Sequence, residues 1–422
     1  MWYIRINSNY FYYKVLKNLN IIGINKVVKK VYYDLKTETT KNKINKKKIV
    51  NLICILMLII LIIATTAAYI VNENIREYID FHLLNKEVQT DELMDIPLAG
   101  EKNSYVCSYD GKIAILNNNI LKVYNDLAEE KYQLDVNITI PIFASNNKNL
   151  VIAEKSGKKV YYISGKNIVW QAEVDGEIQK INVNKNGYTT IIVSQSTYKT
   201  VVITYNPQGE ELFKTFISNA YAIDTDISND NKYLIIAEVI TEGIQVRSNI
   251  RFVSLDKVGT DTDNSIVEQK TSDSNRMITA INYNDAKQLI AMYDNSIDVI
   301  EEETEEKLVE FNQESLFASV NLNREIVEVN QKNNNENISE CDVLIIDSTN
   351  QSKKVYTIDA IPKNINARDS TIAINTGAQA YFIGVNGWLK KKCVSNQEIK
   401  EIVLGDGIAG IVYNNKISIL KI

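Results

Sequence analysis

The stretch DTDISNDN sets Asp224, Asp226, Ser228 and Asp230 at alternate positions, the spacing of a calcium loop. Such a loop also needs a glycine at its sixth position and a closing glutamate, and both are missing. The same residues read as a strand end followed by an Asn/Asp turn. GDGIAG, Gly405 to Gly410, has the glycine spacing of a dinucleotide loop. The residues after it, IVYNNKISIL, alternate like a strand rather than opening a helix. EEETEEK, Glu301 to Lys307, gathers carboxylates of the kind that do acid–base work. An exposed charge run is more often simply solvated, and the acidic DKVGTDTDN at Asp256–Asn264 reads the same way.

Nucleophilic catalysis finds no support. The chain has one histidine, His82, so no Ser/His/Asp or Cys/His set exists after Asp91. A lone histidine is also a poor metal ligand. Cys107, Cys341 and Cys393 fall on expected strands in three different repeats, which fits buried free thiols. The fourth cysteine, Cys54, lies in an apolar run. No catalytic, metal or cofactor-binding residue is assigned, and no cofactor is expected.

These residues sit on a repeat. INVNKNGYTTIIVSQSTYKTVVITYNPQGEELFKTF, Ile181 to Phe216, reads as four short strands separated by Asn/Gly/Pro turns. First strands of similar units centre near residues 105, 142, 181, 225, 280, 319, 363 and 402. A four-stranded period of about 40 residues is that of a β-propeller. Eight blades are expected, with seven as the alternative. The last unit, from Lys400, holds only three strands. A strand from Leu93–Gly100 would complete it and hide the open edge.

The N-terminal part differs in kind. Met1–Lys48 carries 12 Lys/Arg against 2 Asp/Glu, whereas the remainder carries 35 against 50. Ile49–Val71 is free of charge over 23 positions, roughly 34 Å as a helix and enough to span a bilayer. The Lys41–Lys48 run before it puts the N-terminus in the cytoplasm and the large part outside. A cleaved signal peptide fits less well, because the basic region and the apolar run are both too long. The basic segment suits either an amphipathic helix on an anionic leaflet or a plain orienting tail. Nucleic-acid binding is not expected of a basic tail beside a span. The expected organisation is a basic cytoplasmic segment (1–48), a transmembrane helix (49–71), a helical stalk (72–92) and an extracytoplasmic propeller (93–422).

NDNKYLIIAEV, Asn229 to Val239, resembles the turn-and-strand unit of WD-repeat propellers. KKVYYISGKNIVWQAEVDGEI around Trp170 and AYFIGVNGWLKKKCV around Trp388 are similar to quinoprotein-like (PQQ-type) blades, with a glycine turn and then a tryptophan on the last strand. The whole plan resembles an uncharacterised single-pass, membrane-anchored propeller family of Gram-positive bacteria. That resemblance implies a fold and a location but no reaction.

Trp170 and Trp388 are expected to wedge between blades as structural residues. The expected function is binding or scaffolding of an envelope protein or glycan. Recognition is assigned to the polar insertions Thr241–Asn249, Asp256–Met277 and Asn330–Glu340. The alternative is an envelope-acting glycan or peptide hydrolase or lyase using carboxylates at the channel.

Overall fold

The computed structural model describes residues 46–71, 75, 79, 93–98, 104–257, 265–272, 275–301, 304–332 and 339–422. The chain divides into two compact units, Met1–Arg76 and Glu77–Ile422.

In the first unit, helix α1 spans Lys46–Val71. It begins three residues before the uncharged run. Its Ile53–Val71 stretch has a mean hydropathy of 2.8 and is unburied, so by length and composition it can cross a membrane. The basic segment before residue 46 lies outside the described residues. In the expected stalk only Ile75 and Ile79 are described, and both are helical. His82 lies outside the described residues.

The second unit is a β-propeller of eight four-stranded antiparallel sheets, built from strands β1–β32 in chain order. The innermost strands of blades 1 to 8 are β2 (Tyr105–Tyr109), β6 (Pro141–Asn146), β10 (Glu177–Val183), β14 (Ala220–Ile227), β18 (Ile278–Tyr283), β22 (Ser315–Ser319), β26 (Asn364–Arg368) and β30 (Glu401–Gly405). Their centres fall within about three residues of the expected ones.

Blade 3 illustrates why these segments are strands. Its second and third strands, TTIIVS (Thr189–Ser194) and TVVITY (Thr200–Tyr205), are buried almost throughout. Both of their faces meet a neighbouring blade, so β-branched residues fill both sides. The outermost strand, ELFKTFI (Glu211–Ile217), is largely open. Eight apolar clusters form the core, one at each joint between consecutive blades.

The turns are closed by asparagine. Asn184 Oδ1 accepts the N–H groups of Asn186 and Tyr188, and Asn206 Oδ1 accepts those of Gln208 and Glu210. The fourth residue of each such turn has a positive φ, +89° at Gly187 and +86° at Gly209, which favours glycine.

Blade 8 closes the ring as expected. β31 (Ile408–Val412) and β32 (Lys416–Lys421) come after β30, and β1 (Met94–Pro97) supplies the fourth strand. β1 pairs antiparallel with β32, Asp95 opposite Ser418. Ile96 is buried at the joint between blades 8 and 1.

Two expectations about loops are corrected. Asp256–Met277 is not one insertion, because it contains β17 (Ile266–Thr271), the outer strand of blade 4. Thr241–Asn249 shortens to residues 241–246, because the third strand of blade 4 begins at Arg247. Of Asn330–Glu340, residues 330 and 331 belong to the second strand of blade 6, and 333–338 lie outside the described residues.

Candidate functional site

The eight innermost strands run side by side along the channel. Where their turns to the second strands gather, the channel widens into a funnel of about 730 Å³. All eight blades contribute to its wall. Of its 29 lining residues ten are asparagine, about one in three, whereas 50 of 422 in the chain are, about one in eight. The enrichment shows that the wall is more than a sample of an asparagine-rich chain.

Local irregularity aims many of these side chains. The innermost ladders of blades 3, 4, 5 and 6 each carry a register shift, at Ile178/Lys180, Ala222/Asp224, Ile278/Ala280 and Ser315/Phe317. A bulge of this kind re-aims the residues beyond it. Asn182, Asp226 and Asn282 stand at the same place, two residues past the shift in blades 3, 4 and 5. The innermost ladders of blades 7, 8, 1 and 2 are regular.

Hydrogen bonds at the wall or just behind it staple each blade to the next. Asn182 Nδ2 donates to the Thr225 carbonyl (2.5 Å), and Asn282 Nδ2 to those of Val320 (2.6 Å) and Leu322 (2.9 Å). Asn366 Nδ2 donates to Ile402 O (3.1 Å), and Ser145 Oγ to Ser108 O (2.7 Å). Ser108 Oγ reaches Leu404 O, and Asn149 Nδ2 reaches Lys185 O (3.1 Å). At the remaining joint, Asn323 N donates to Asp369 O (3.0 Å).

Blade 4 uses acceptors instead. Asp224 Oδ2 accepts the Ile281 N–H (3.1 Å), and Asp226 Oδ2 accepts that of Tyr283 (2.7 Å). A carboxylate has no donor to offer, so the bond runs from the neighbour's amide. Burial pushes Asp226 up to about 7, and nearby Asp224 adds to the rise; the Tyr283 and Ile227 N–H groups oppose it.

Arg368 braces the regular half. Its guanidinium donates to Ser108 Oγ (3.1 Å), Ser145 Oγ (3.0 Å), Ser145 O (3.2 Å) and Leu404 O (3.3 Å). One side chain of blade 7 thus touches blades 8, 1 and 2. It also lies 3.5 Å from Asp369. Across the funnel, Lys185 pairs with Asp285 at 3.1 Å, and Asn229 Nδ2 donates to the same carboxylate (2.6 Å).

The residues singled out by sequence do not converge. Asp224 pairs with Lys180 (2.7 Å), and Ser228 Oγ donates to Asp230 (2.7 Å), while Asp224 and Asp226 each hold the next blade's backbone. Their carboxylates serve joints and a turn. Gly405–Gly410 is a strand–turn–strand hairpin. In the Glu301–Lys307 run, Glu305 approaches Arg276 (3.6 Å) on the outer strand of blade 5, away from the funnel wall. Cys107, Cys341 and Cys393 are buried and unbridged.

The two tryptophans part company. Trp170 stacks between Tyr162 (5.2 Å) and Tyr205 (5.1 Å), at the joint of blades 2 and 3. A Cβ on Gly209 would lie 2.6 Å from its ring. Trp388 is 47% exposed, so it does not have the burial expected of a wedge between blades. It precedes the last strand of blade 7, Leu389–Val394, whereas Trp170 lies inside its own, Asn167–Glu173.

Sequence reasoning missed the funnel asparagines. A signal was present: NVN (182–184), NYN (282–284), NLN (321–323) and NIN (364–366) recur in blades 3, 5, 6 and 7.

Over residues 86–422 the chain matches the model of a family of unknown function, DUF5711, and it belongs to that family. No curated protein sequence matches it. Among solved structures it is similar to the C-terminal WD40 domain of Sif2, with a TM-score of 0.53, 12% identity, and coverage of 80% of this chain and 98% of that one. It is similar to Sqt1 from Chaetomium thermophilum, with a TM-score of 0.51, 8% identity, and coverage of 79% and 99%. BamB from Moraxella catarrhalis matches with a TM-score of 0.47, 10% identity, and coverage of 78% and 97%. At these identities the likeness to Sif2 and Sqt1 is one of fold.

Proposed function

We propose that this chain is a membrane-anchored, extracytoplasmic propeller that binds an envelope component at the funnel. The funnel carries the reading: a concave site of about 730 Å³ where polar side chains from all eight blades converge. The apolar helix α1 and the lysine run before it support the anchor and its orientation. The funnel also displaces the insertions as the recognition surface. Residues 241–246, and the described ends of the later insertion, 332, 339 and 340, lie between second and third strands, so they are on the opposite face of the ring.

The enzyme reading has less behind it. Asp285 and Asp369 are paired with Lys185 and Arg368, and Asp226 holds two backbone amides. Glu401 is the remaining carboxylate of the described wall, and one carboxylate alone does not make the acid–base pair that such hydrolysis uses.

Two measurements test the proposal. Protease added to intact, wall-stripped cells is expected to digest the propeller and spare the first 48 residues. A photo-crosslinking residue at Asn323, in the funnel, is expected to capture a partner that the same residue at Lys353, on an outer strand, does not. Protection of the propeller, or equal capture at both positions, refutes the reading.

A further inference from the structure

We propose that the ligand of the funnel is a neutral saccharide, held by side-chain amides. This rests on the funnel being the binding site, and it names the chemistry that the wall selects.

Asn146, Asn147, Asn321 and Asn323 line the funnel and are exposed. Among the described residues, none gives their side-chain amides a hydrogen bond. Each amide offers donors beside an acceptor. A sugar hydroxyl is likewise donor and acceptor at once, so neighbouring hydroxyls match neighbouring amides without any net charge.

Charge argues against an anionic polymer. The two cations of the wall, Lys185 and Arg368, already face Asp285 and Asp369. A phosphate or carboxylate ligand would have to break those pairs and would meet the carboxyls of Asp226 and Glu401 as well.

The backbone argues against a peptide. An extended peptide binds by adding to an open strand edge. The innermost strands present such an edge to the channel, but in blades 1, 4, 5 and 8 staples already engage it, and in blade 6 they engage the residues just after it. The carbonyls of Ser108, Thr225, Val320, Leu322, Ile402 and Leu404 all accept side-chain donors. The amides of Ile281 and Tyr283 are given to Asp224 and Asp226. Side-chain amides are therefore what the funnel has left to offer.

The test uses the full chain in a detergent without a sugar head group. Maltotetraose, cellotetraose and chitotetraose are titrated by calorimetry, beside a polyglycerol phosphate oligomer and an uncharged hexapeptide. At least one neutral saccharide is expected to bind with a Kd of about 1 mM or tighter. Its affinity is expected to fall about tenfold or more in Asn146→Ala/Asn323→Ala, both at backbone angles that alanine adopts freely, since each lost hydrogen bond weakens binding severalfold. The unfolding temperature of that variant should match the parent's. Binding should hold steady as salt rises from about 50 to about 500 mM.

No binding of any neutral saccharide overturns the proposal. So does binding of the phosphate oligomer that fades with salt, capture of the peptide alone, or saccharide binding indifferent to the two asparagines. If Asn323 crosslinks a protein in cells while no saccharide binds, the saccharide falls and the binding module stands. If a saccharide binds but the propeller is shielded from external protease, the ligand stands and the location falls.

Discussion

Blades 3 to 6 and blades 7, 8, 1 and 2 solve the same problem by different means. In the first half every innermost ladder is bulged, and Asn182, Asp226 and Asn282 are turned onto the next blade's backbone. In the second half the ladders are regular. There Asn366 still staples blade 7 to blade 8, but small serines and one long side chain, Arg368, bridge the joints among blades 7, 8, 1 and 2. A ring can thus be held locally, joint by joint, or by one brace across several joints. The braced half is also the one that contains the seam. In blade 8, pairing partners such as Asp95 and Ser418 lie far apart in sequence, and closing so long a loop costs conformational entropy.

The sharpest way to break the braced half is to remove its seam. Deletion from Lys400 onward takes away β30, β31 and β32 and leaves β1 without a partner. It strips the apolar clusters on both sides of blade 8, where burial stabilises by about 25 cal/mol per Å². The expected outcome is loss of the cooperative melt monitored by circular dichroism. A truncated chain that melts like the parent would show that the ring does not depend on its seam.

The joint between the two halves is the next target. Trp170→Ala removes a ring stacked on both blades and should cost about 2–4 kcal/mol, below the loss for full burial because the residue is only half-buried. Trp388→Ala, at an exposed site, should cost under about 1 kcal/mol. Equal losses in urea unfolding would contradict the different placement of the two rings.

Arg368→Ala tests the brace. It deletes charge-assisted bonds to three blades and should cost about 1–3 kcal/mol. Arg368→Lys should recover little of this, because an ammonium cannot reproduce the guanidinium fork. Full recovery with lysine would reduce the brace to a bare charge.

A further test lies in the locally stapled half and depends on pH. Asp226 is pushed from 3.8 to about 7 in the folded chain. The folded state therefore binds the extra proton, so this contribution to stability is complete below about pH 4 and is lost as pH rises through about 7. Asn182 and Asn282 occupy the equivalent positions, so Asp226→Asn places a residue type that the ring already uses there. That variant should melt with a flatter dependence between about pH 4 and 7 than the parent; an unchanged profile would remove Asp226 as the source.

Much of the frame was legible because it is written in local alternation. The apolar runs at Thr189–Ser194 and Thr200–Tyr205 and the asparagine turns between them repeat around the ring. Counting strands in the last unit exposed the gap that β1 fills. The outer strand β17 was lost because SIVEQKT buries so little that nothing distinguishes it from a polar loop. Trp388 misled because a glycine turn followed by tryptophan does not reveal where the ring points; a shift relative to the strand start separates it from Trp170. The funnel escaped for a different reason. Asparagine at a strand end already has an explanation as turn chemistry. That those ends converge appears only once eight blades are set around one axis and the bulges are counted.

In blade 8, β1 enters the sheet beside the end of β32, and Ile422 N bonds to Gly407 O in the adjoining turn. The start and end of the ring therefore lie side by side on the funnel face. Topologically the propeller is a circle with a movable cut. A circular permutant that links Ile422 to Leu93 and opens between Ser194 and Thr200 should rebuild the same eight blades, with the seam shifted into blade 3.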